Sequence, residues 1–227
     1  MAEKSSIFDM IGPVMIGPSS SHTAGVVRIG RMGRKVLGSQ PTKAHITFYN
    51  SFARTYEGHG SDKAILAGLL GMQTDDKRIK TSKEICEEQG LEYEFKPVGN
   101  ASAHHPNTIK LVLTNSQGNT VEVLGISRGG GIIAIKEING FECNFSATND
   151  TLIVQAKDKK GAISFIANII ANDDCNIGAM TVSREGKNKM ACQFIEMDSP
   201  IKEMSINYLN SLDWVNEVIY LSAVDKD

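Results

Sequence analysis

The residues best suited to chemistry form a hydroxyl-rich segment at positions 17–25, with the sequence GPSSSHTAG. Ser19, Ser20, Ser21, His22 and Thr23 stand there in an unbroken run, directly before a predicted amphipathic helix at 24–37. One Ser or Thr is enough to cap a helix, so this cluster has more hydroxyls than capping requires. A helix N-terminus also favours anions through its unpaired N–H groups and its dipole. The segment therefore predicts a carboxylate or phosphate site, with a simple capped helix as the alternative.

A second segment of the same kind surrounds His59, which lies between Gly58 and Gly60. Ser61 and Asp62 follow and are predicted to cap a helix at 61–70. The positive end of a helix disfavours a second positive charge, so the imidazole would stay neutral and able to accept a proton. The segment predicts a general base, and the alternative is a histidine in a surface loop.

A third segment, AHHPNT at 103–108, contains the adjacent residues His104 and His105 followed by Asn107. Neighbouring side chains in an extended segment point in opposite directions, so one histidine is expected to face the site. The spacing completes no metal-ligand set. His45 stands alone on a predicted strand and is interpreted as structural.

A fourth segment is the glycine run Gly129, Gly130 and Gly131, preceded by Arg128. Glycine permits unusual backbone angles and allows a ligand to approach the main chain closely. A bulge or a hairpin would need the same freedom. Both interpretations remain open from the sequence.

Composition excludes several classes of function. The 227 residues carry a net charge of −2, which gives no reason to expect nucleic acid or an anionic membrane as a partner. No apolar run is long enough to span a bilayer, and the first residues make a poor signal peptide, so a cytoplasmic location is expected. The four cysteines, Cys86, Cys143, Cys175 and Cys192, are scattered. They predict buried reduced thiols rather than a disulfide framework, a zinc site or a cluster site.

The pattern of apolar residues predicts two domains, at 1–147 and 148–227. The first is α+β with a mainly antiparallel sheet. Its predicted helices lie at 24–37, 61–70 and 81–89, and its strands at 44–50, 92–97, 108–115, 120–127, 132–138 and 141–145. The second has the order βαββαβ of a ferredoxin-like fold. Its predicted strands lie at 151–156, 176–184, 189–197 and 214–221, and its helices at 162–172 and 200–211.

The second domain resembles the ACT family in two loops. Asp158 and Gly161 follow its first strand, and Asn176 and Ile177 lead into its second. ACT domains are regulatory modules that commonly pair side by side and bind amino acids between them. The resemblance implies self-association and a regulatory ligand at these four residues. A dimerisation module without a ligand is the alternative.

The whole chain resembles the β chain of bacterial two-subunit iron–sulfur L-serine dehydratases. The resemblance is carried by residues 7–25, by 56–62 (YEGHGSD), by 105–108 (HPNT) and by the glycine run. It implies deamination of L-serine to pyruvate and ammonia. It also implies a [4Fe–4S] cluster, held by the cysteines of a partner α chain, that acts as a Lewis acid. Arg128 departs from the small apolar residue expected before the glycines.

The resemblance also implies roles for particular residues. Ser19, Ser20, Ser21 and Thr23 would hold the serine carboxylate. His59 would be the base that removes the α-proton, and His22 and His105 would orient the carboxylate or assist proton transfer. Further substrate contacts are implied at Ser61, Asp62, Asn107, Gly129 and Gly130.

Two alternatives from other classes remain. The N-terminal part also resembles the allosteric substrate-binding domain of some phosphoglycerate dehydrogenases, which implies a regulatory subunit that senses a small molecule. The other alternative is an inert dimerisation scaffold. Accessible neutral histidines favour the enzyme, because a sensor of anions needs only hydroxyls and arginines.

Overall fold

A computed structural model describes residues 12–101 and 104–224. The chain divides into two compact units, Met1–Asn139 and Gly140–Asp227. Among the described residues, no helix is long and apolar enough to cross a membrane.

The sheet of the N-terminal unit is mainly antiparallel, as predicted. Its strands are hydrogen-bonded in the order β2-β1-β3-β4-β5. Only the β1–β2 pair among these is parallel. The strands are β1 (Pro41–Tyr49), β2 (Glu92–Val98), β3 (Thr108–Asn115), β4 (Thr120–Gly129) and β5 (Ile132–Ile138).

Within the described residues of this unit, four α-helices accompany the sheet: α1 (Gly25–Leu37), α2 (Asn50–Thr55), α3 (Ser61–Leu69) and α4 (Ser82–Glu88). A π-helical turn at Ser20–Ala24 leads directly into α1, and a 3₁₀ turn at Lys77–Thr81 leads into α4. The predicted apolar stripe of α1 is confirmed, since Val26, Ile29, Gly33 and Val36 are all buried. Helix α2 was not predicted; it is six residues long and begins at Asn50, whose φ is 52°.

Helices α1 and α3 cross at very close range. A Cβ atom on Gly68 would lie 2.2 Å from the Val27 carbonyl oxygen, and one on Gly30 would lie 2.6 Å from that of Ile65. Neither position can hold a side chain without displacing backbone. Glycine at both positions therefore fixes the separation of the two helices, whose N-termini carry the serine-rich and the His59 segments.

The C-terminal unit has the predicted ferredoxin-like topology. Its four-stranded sheet runs β10-β7-β9-β8, with antiparallel neighbours. The elements are β7 (Asp150–Lys157), α5 (Ala162–Asn172), β8 (Ile177–Arg184), β9 (Met190–Met197), α6 (Glu203–Asn210) and β10 (Val215–Leu221). Helix α6 begins three residues later than Pro200, because Ile201 is buried and the Lys202 amide donates to Asp173. Ile166, Ile170, Ile195 and Leu209 are among the residues of its core.

A short strand, β6 (Phe141–Phe145), belongs to this second unit. The rings of Phe145 and Phe194 stack with centroids 6.2 Å apart, and the Ser146 amide and hydroxyl both donate to the Glu196 carboxylate. The predicted boundary, between residues 147 and 148, lies at the far end of this strand. The structural division falls before it, and the Phe145 ring of β6 packs on Phe194 of β9.

Candidate functional site

The serine-rich segment forms a compact turn in which the hydroxyls surround the imidazole of His22. Ser19 precedes the π-helical turn, and its Oγ accepts a hydrogen bond from the His22 amide at 3.2 Å. His22 Nδ1 lies 3.0 Å from Ser21 Oγ and 3.3 Å from Ser19 Oγ, and the two hydroxyls are 3.2 Å apart. These serines are half-buried. The turn is thus a partly accessible cluster of hydroxyls built around one ring.

The other nitrogen of His22 faces helix α2. Nε2 lies 3.1 Å from Thr55 Oγ1, and the ring packs edge-on against Phe52, with centroids 4.8 Å apart. Burial lowers the pKa of His22, and the positive charge that His59 can carry lowers it further. The His22 ring is therefore held neutral more strongly than a free imidazole.

His59 lies in the turn between α2 and α3 and is exposed. Its ring is 4.7 Å from that of His22, centroid to centroid, at an angle of 34°. Its Nδ1 lies 3.3 Å from the Thr55 carbonyl oxygen. The structure thus brings the serine-rich turn and the GHG turn together, although the two histidines are 37 positions apart in the sequence.

Ser61 and Asp62, both predicted to contact substrate, are buried and engaged within the protein. Ser61 Oγ donates to the His22 carbonyl at 2.8 Å and so fixes the serine-rich turn on α3. Asp62 Oδ2 lies 2.5 Å from Lys83 Nζ, and this hydrogen bond raises the pKa of Lys83. In this structure both side chains lie beneath the surface of the site and hold its turns in place.

Thr23 also lies beneath the surface, only 2% exposed. A Cβ on Gly17 would lie 2.3 Å from Thr23 Oγ1, so Gly17 covers the hydroxyl at close range. Within the described residues this hydroxyl has no hydrogen-bond partner. The arrangement places Thr23 in the packing under the turn, in contrast to the predicted role as a donor to a carboxylate.

The third segment lies at the start of α2. The Pro106 carbonyl accepts from the Ser51 amide at 3.0 Å, and Asn50 bonds to the main chain of Ala101 and His104. His105 is exposed, and its Nδ1 accepts from the Asn107 amide at 3.1 Å. The His104 ring packs against Tyr49, with centroids 4.5 Å apart. The structure thus ties His105 to its own loop.

The glycine run forms the tight turn between β4 and β5, and Gly129, Gly130 and Gly131 all have positive φ values of 99°, 61° and 79°. The hairpin interpretation therefore holds. The run also lies beside the serine-rich turn, because a Cβ on Gly12 would be 3.3 Å from Ser20 Cβ and 3.6 Å from the Gly130 carbonyl oxygen. Arg28 Nη1 donates to the Gly131 carbonyl at 2.6 Å.

Sequence reasoning missed two residues at this site. Thr55 contacts both histidines but lies on the unpredicted helix α2. Ser127 is fully buried, and its Oγ would lie 2.2 Å from a Cβ on Gly25, at the junction of the π turn and α1. The Ser127 amide donates to the Asn107 carbonyl. The sequence feature that could have identified Ser127 is its position two residues before the glycine run.

In the C-terminal unit, the four residues predicted to bind a regulatory ligand lie at two opposite ends of the sheet. Asp158 accepts from Arg184 and from the Asn188 amide, and Gly161 precedes α5 with φ 82°. Asn176 donates to Asp198 at 2.8 Å, beside the first residue of β8. Eight-residue strands span roughly 25 Å, so these pairs do not converge within one chain.

No group of three or more His, Cys, Asp or Glu side chains comes together as a metal site in the part of the chain that the structure describes. The four cysteines are free and buried. Burial raises the pKa of Cys86 and of Cys192 to about 12, and the cysteine side chains do not come together in the described part of the chain as the ligands of one cluster must. The cysteines of this chain therefore do not fit a [4Fe–4S] cluster.

Comparison with known families agrees with the resemblance. The model of the serine dehydratase beta chain family matches residues 6–138. The chain belongs to this family. It is 45% identical over 213 residues to a probable L-serine dehydratase beta chain of Bacillus subtilis, covering 94% of this chain and 96% of that one. It is also 33% identical over 198 residues to the L-serine dehydratase beta chain of Peptoniphilus asaccharolyticus, covering 87% and 89%.

Among solved structures, the chain is similar to the ACT domain of a GTP pyrophosphokinase from Chlorobium tepidum. The match has 18% identity and a TM-score of 0.26, and it covers 32% of this chain and 95% of that one.

Proposed function

We propose that this chain is the β subunit of a two-chain L-serine dehydratase, which converts L-serine to pyruvate and ammonia at a site shared with an α chain. The observation that carries the proposal is the convergence of two histidine rings, 4.7 Å apart, beside the hydroxyls of Ser19 and Ser21. The convergence supplies a base and an anion-binding turn in one place. The family relationship supports serine as the substrate.

In this proposal the substrate carboxylate binds at the serine-rich turn, where hydroxyls and main-chain N–H groups favour an anion. His59 removes the α-proton, because it is the exposed member of the pair and its ring is open to a ligand. His22 stays neutral and orients the serine hydroxyls. Thr23, Ser61 and Asp62 are assigned to the support of the turn, on the contacts described above.

The [4Fe–4S] cluster implied by the resemblance is proposed to be held by the α chain, since the cysteines of the β chain do not fit it. We propose the cytoplasm as the location, in keeping with free thiols. The C-terminal unit is proposed to self-associate. A regulatory amino acid could contact both ends of its sheet only if two copies contributed, because one chain keeps the predicted residues apart.

The test is anaerobic conversion of serine to pyruvate by the β chain alone, by the α chain alone, and by the mixture after cluster reconstitution. Activity in the mixture alone supports a shared site. Full activity from the α chain alone would contradict it. That result would favour the alternative, a non-catalytic subunit that senses small molecules, and serine analogues should then still raise the melting temperature of the β chain.

A further inference from the structure

We propose that Thr55 is a positioning residue that fixes opposite tautomers of the two histidines, through its hydroxyl for His22 and through its carbonyl for His59. Thr55 occupies the last position of α2. It is half-buried and lies within hydrogen-bond distance of both rings. The assignment of tautomers rests on hydrogen-bond polarity alone, and its catalytic consequence rests on the function proposed above.

The His22 tautomer follows from the single hydrogen of the Thr55 hydroxyl. Thr55 Oγ1 donates to the Ser51 carbonyl oxygen at 2.9 Å, and a carbonyl can only accept. Toward His22 Nε2, at 3.1 Å, the same oxygen must therefore be the acceptor. His22 Nε2 carries the hydrogen, and in the neutral ring the lone pair lies on Nδ1. That lone pair faces Ser21 Oγ, which donates to it.

The His59 tautomer follows from the Thr55 carbonyl. His59 Nδ1 lies 3.3 Å from this oxygen, which accepts, so Nδ1 carries the hydrogen. The amide of His59 donates to the same carbonyl at 3.0 Å, which holds the turn against the end of α2. In the neutral ring of His59, Nε2 is left with the lone pair. Nε2 is therefore the atom that accepts the substrate proton.

The two tautomers give the rings different tasks. His22 accepts from a serine hydroxyl and donates to Thr55, so both of its nitrogens are occupied within the protein. His59 donates to the main chain and keeps one nitrogen for the substrate. A histidine is commonly fixed in one tautomer by the hydrogen bond that its other nitrogen makes. Here one residue performs that task for two rings.

The experiment uses the full chain labelled with ¹⁵N-histidine, at about pH 8, well above the ordinary histidine pKa of about 6.5. Long-range ¹H–¹⁵N spectra distinguish a protonated from an unprotonated ring nitrogen. His22→Gln and His59→Gln assign the signals. We expect Nε2–H for His22 and Nδ1–H for His59. The opposite tautomer at either ring would overturn the inference for that ring.

Thr55→Val removes the hydroxyl while keeping the carbonyl, so the two rings should respond differently. The His22 signals should shift toward a mixture of tautomers, whereas the His59 signals should stay as they are. Thr55→Ser restores the hydroxyl and should restore the wild-type spectrum. If His22 keeps a pure Nε2–H signal in the Val variant, Thr55 does not set its tautomer. Thr55→Ala serves in the same way if the Val variant does not fold.

The reconstituted two-chain enzyme then links the tautomer to turnover. Thr55→Val should lower kcat by about twofold to tenfold, the size expected for the loss of one uncharged hydrogen bond, with a smaller change in KM. Thr55→Ser should recover most of kcat. A shifted His22 tautomer with unchanged kcat would leave the hydrogen-bond assignment standing but would contradict the proposed role of His22 in the reaction.

Discussion

The two units of this protein use their polar loop residues in different ways. In the N-terminal unit, polar side chains from distant segments gather around two rings, and one of these rings, His59, is exposed. In the C-terminal unit, the polar residues singled out from the sequence are paired locally, Asp158 with Arg184 and Asn176 with Asp198. The difference indicates where chemistry is to be expected, because a paired side chain is less available to a ligand.

The strongest test of this contrast is His59→Ala, compared with His45→Ala. Loss of a general base should lower kcat of the two-chain enzyme by about 10²–10⁴-fold. His45 is an exposed histidine of the same unit, hydrogen-bonded to Glu94 on the neighbouring strand, and its replacement should leave kcat unchanged. Steady-state kinetics of both variants decides the point. Equal effects of the two substitutions on kcat would mean that His59 is not the general base.

A second test compares a hydroxyl near the surface of the turn with one beneath it. Ser21→Ala should raise KM for serine about tenfold or more, because hydrogen bonds to charged groups contribute about 1.5–3 kcal/mol. Thr23→Val keeps the shape and removes a hydroxyl that has no partner among the described residues, so KM should change little and the melting temperature should stay the same or rise. A large KM effect in the Thr23 variant would show that this hydroxyl does reach the substrate.

The sequence was informative to different degrees in the two units. Alternating and helical periodicity predicted every long element of the C-terminal unit and its topology. In the N-terminal unit it missed α2, because six residues are too few to show a period, and Thr55 was missed with it. Residue types indicated the two turns that the structure brings together. They could not show that the side chains of Ser61, Asp62 and Thr23 are buried. Their burial depends on how α1 and α3 cross, which the local sequence does not determine.

A third test uses pH and concerns His22, the half-buried histidine of the pair. The pKa of His22 is lowered in the folded state by burial and by His59, so the unfolded chain binds the proton more readily. Stability linked to His22 is therefore fully present above the ordinary value of 6.5 and is lost as pH falls below it. We expect the melting temperature of the wild type to fall more steeply between pH 7 and pH 5 than that of His22→Gln. Parallel curves would contradict this.

The smallest effect is expected in the C-terminal unit. Asp158→Asn removes the ion pair with Arg184, whose side chain is 59% exposed, so the pair is expected to contribute about 0–1 kcal/mol. The amide side chain can still accept from the Asn188 amide. The free energy of unfolding in urea should change by less than about 1 kcal/mol. A larger loss of unfolding free energy would mean that this loop is important for the stability of the unit, and it would weaken the contrast between the two units.

The contact between Gly30 and Gly68 has a consequence for how this protein can evolve. The distance between the serine-rich turn and the His59 turn is set by the absence of side chains, so it has reached its lower limit. Any mutation at either glycine can only wedge the helices apart, and both turns would move with them. Selection can therefore change the residues that surround the site. The spacing of the two histidines can only be kept as it is or lost.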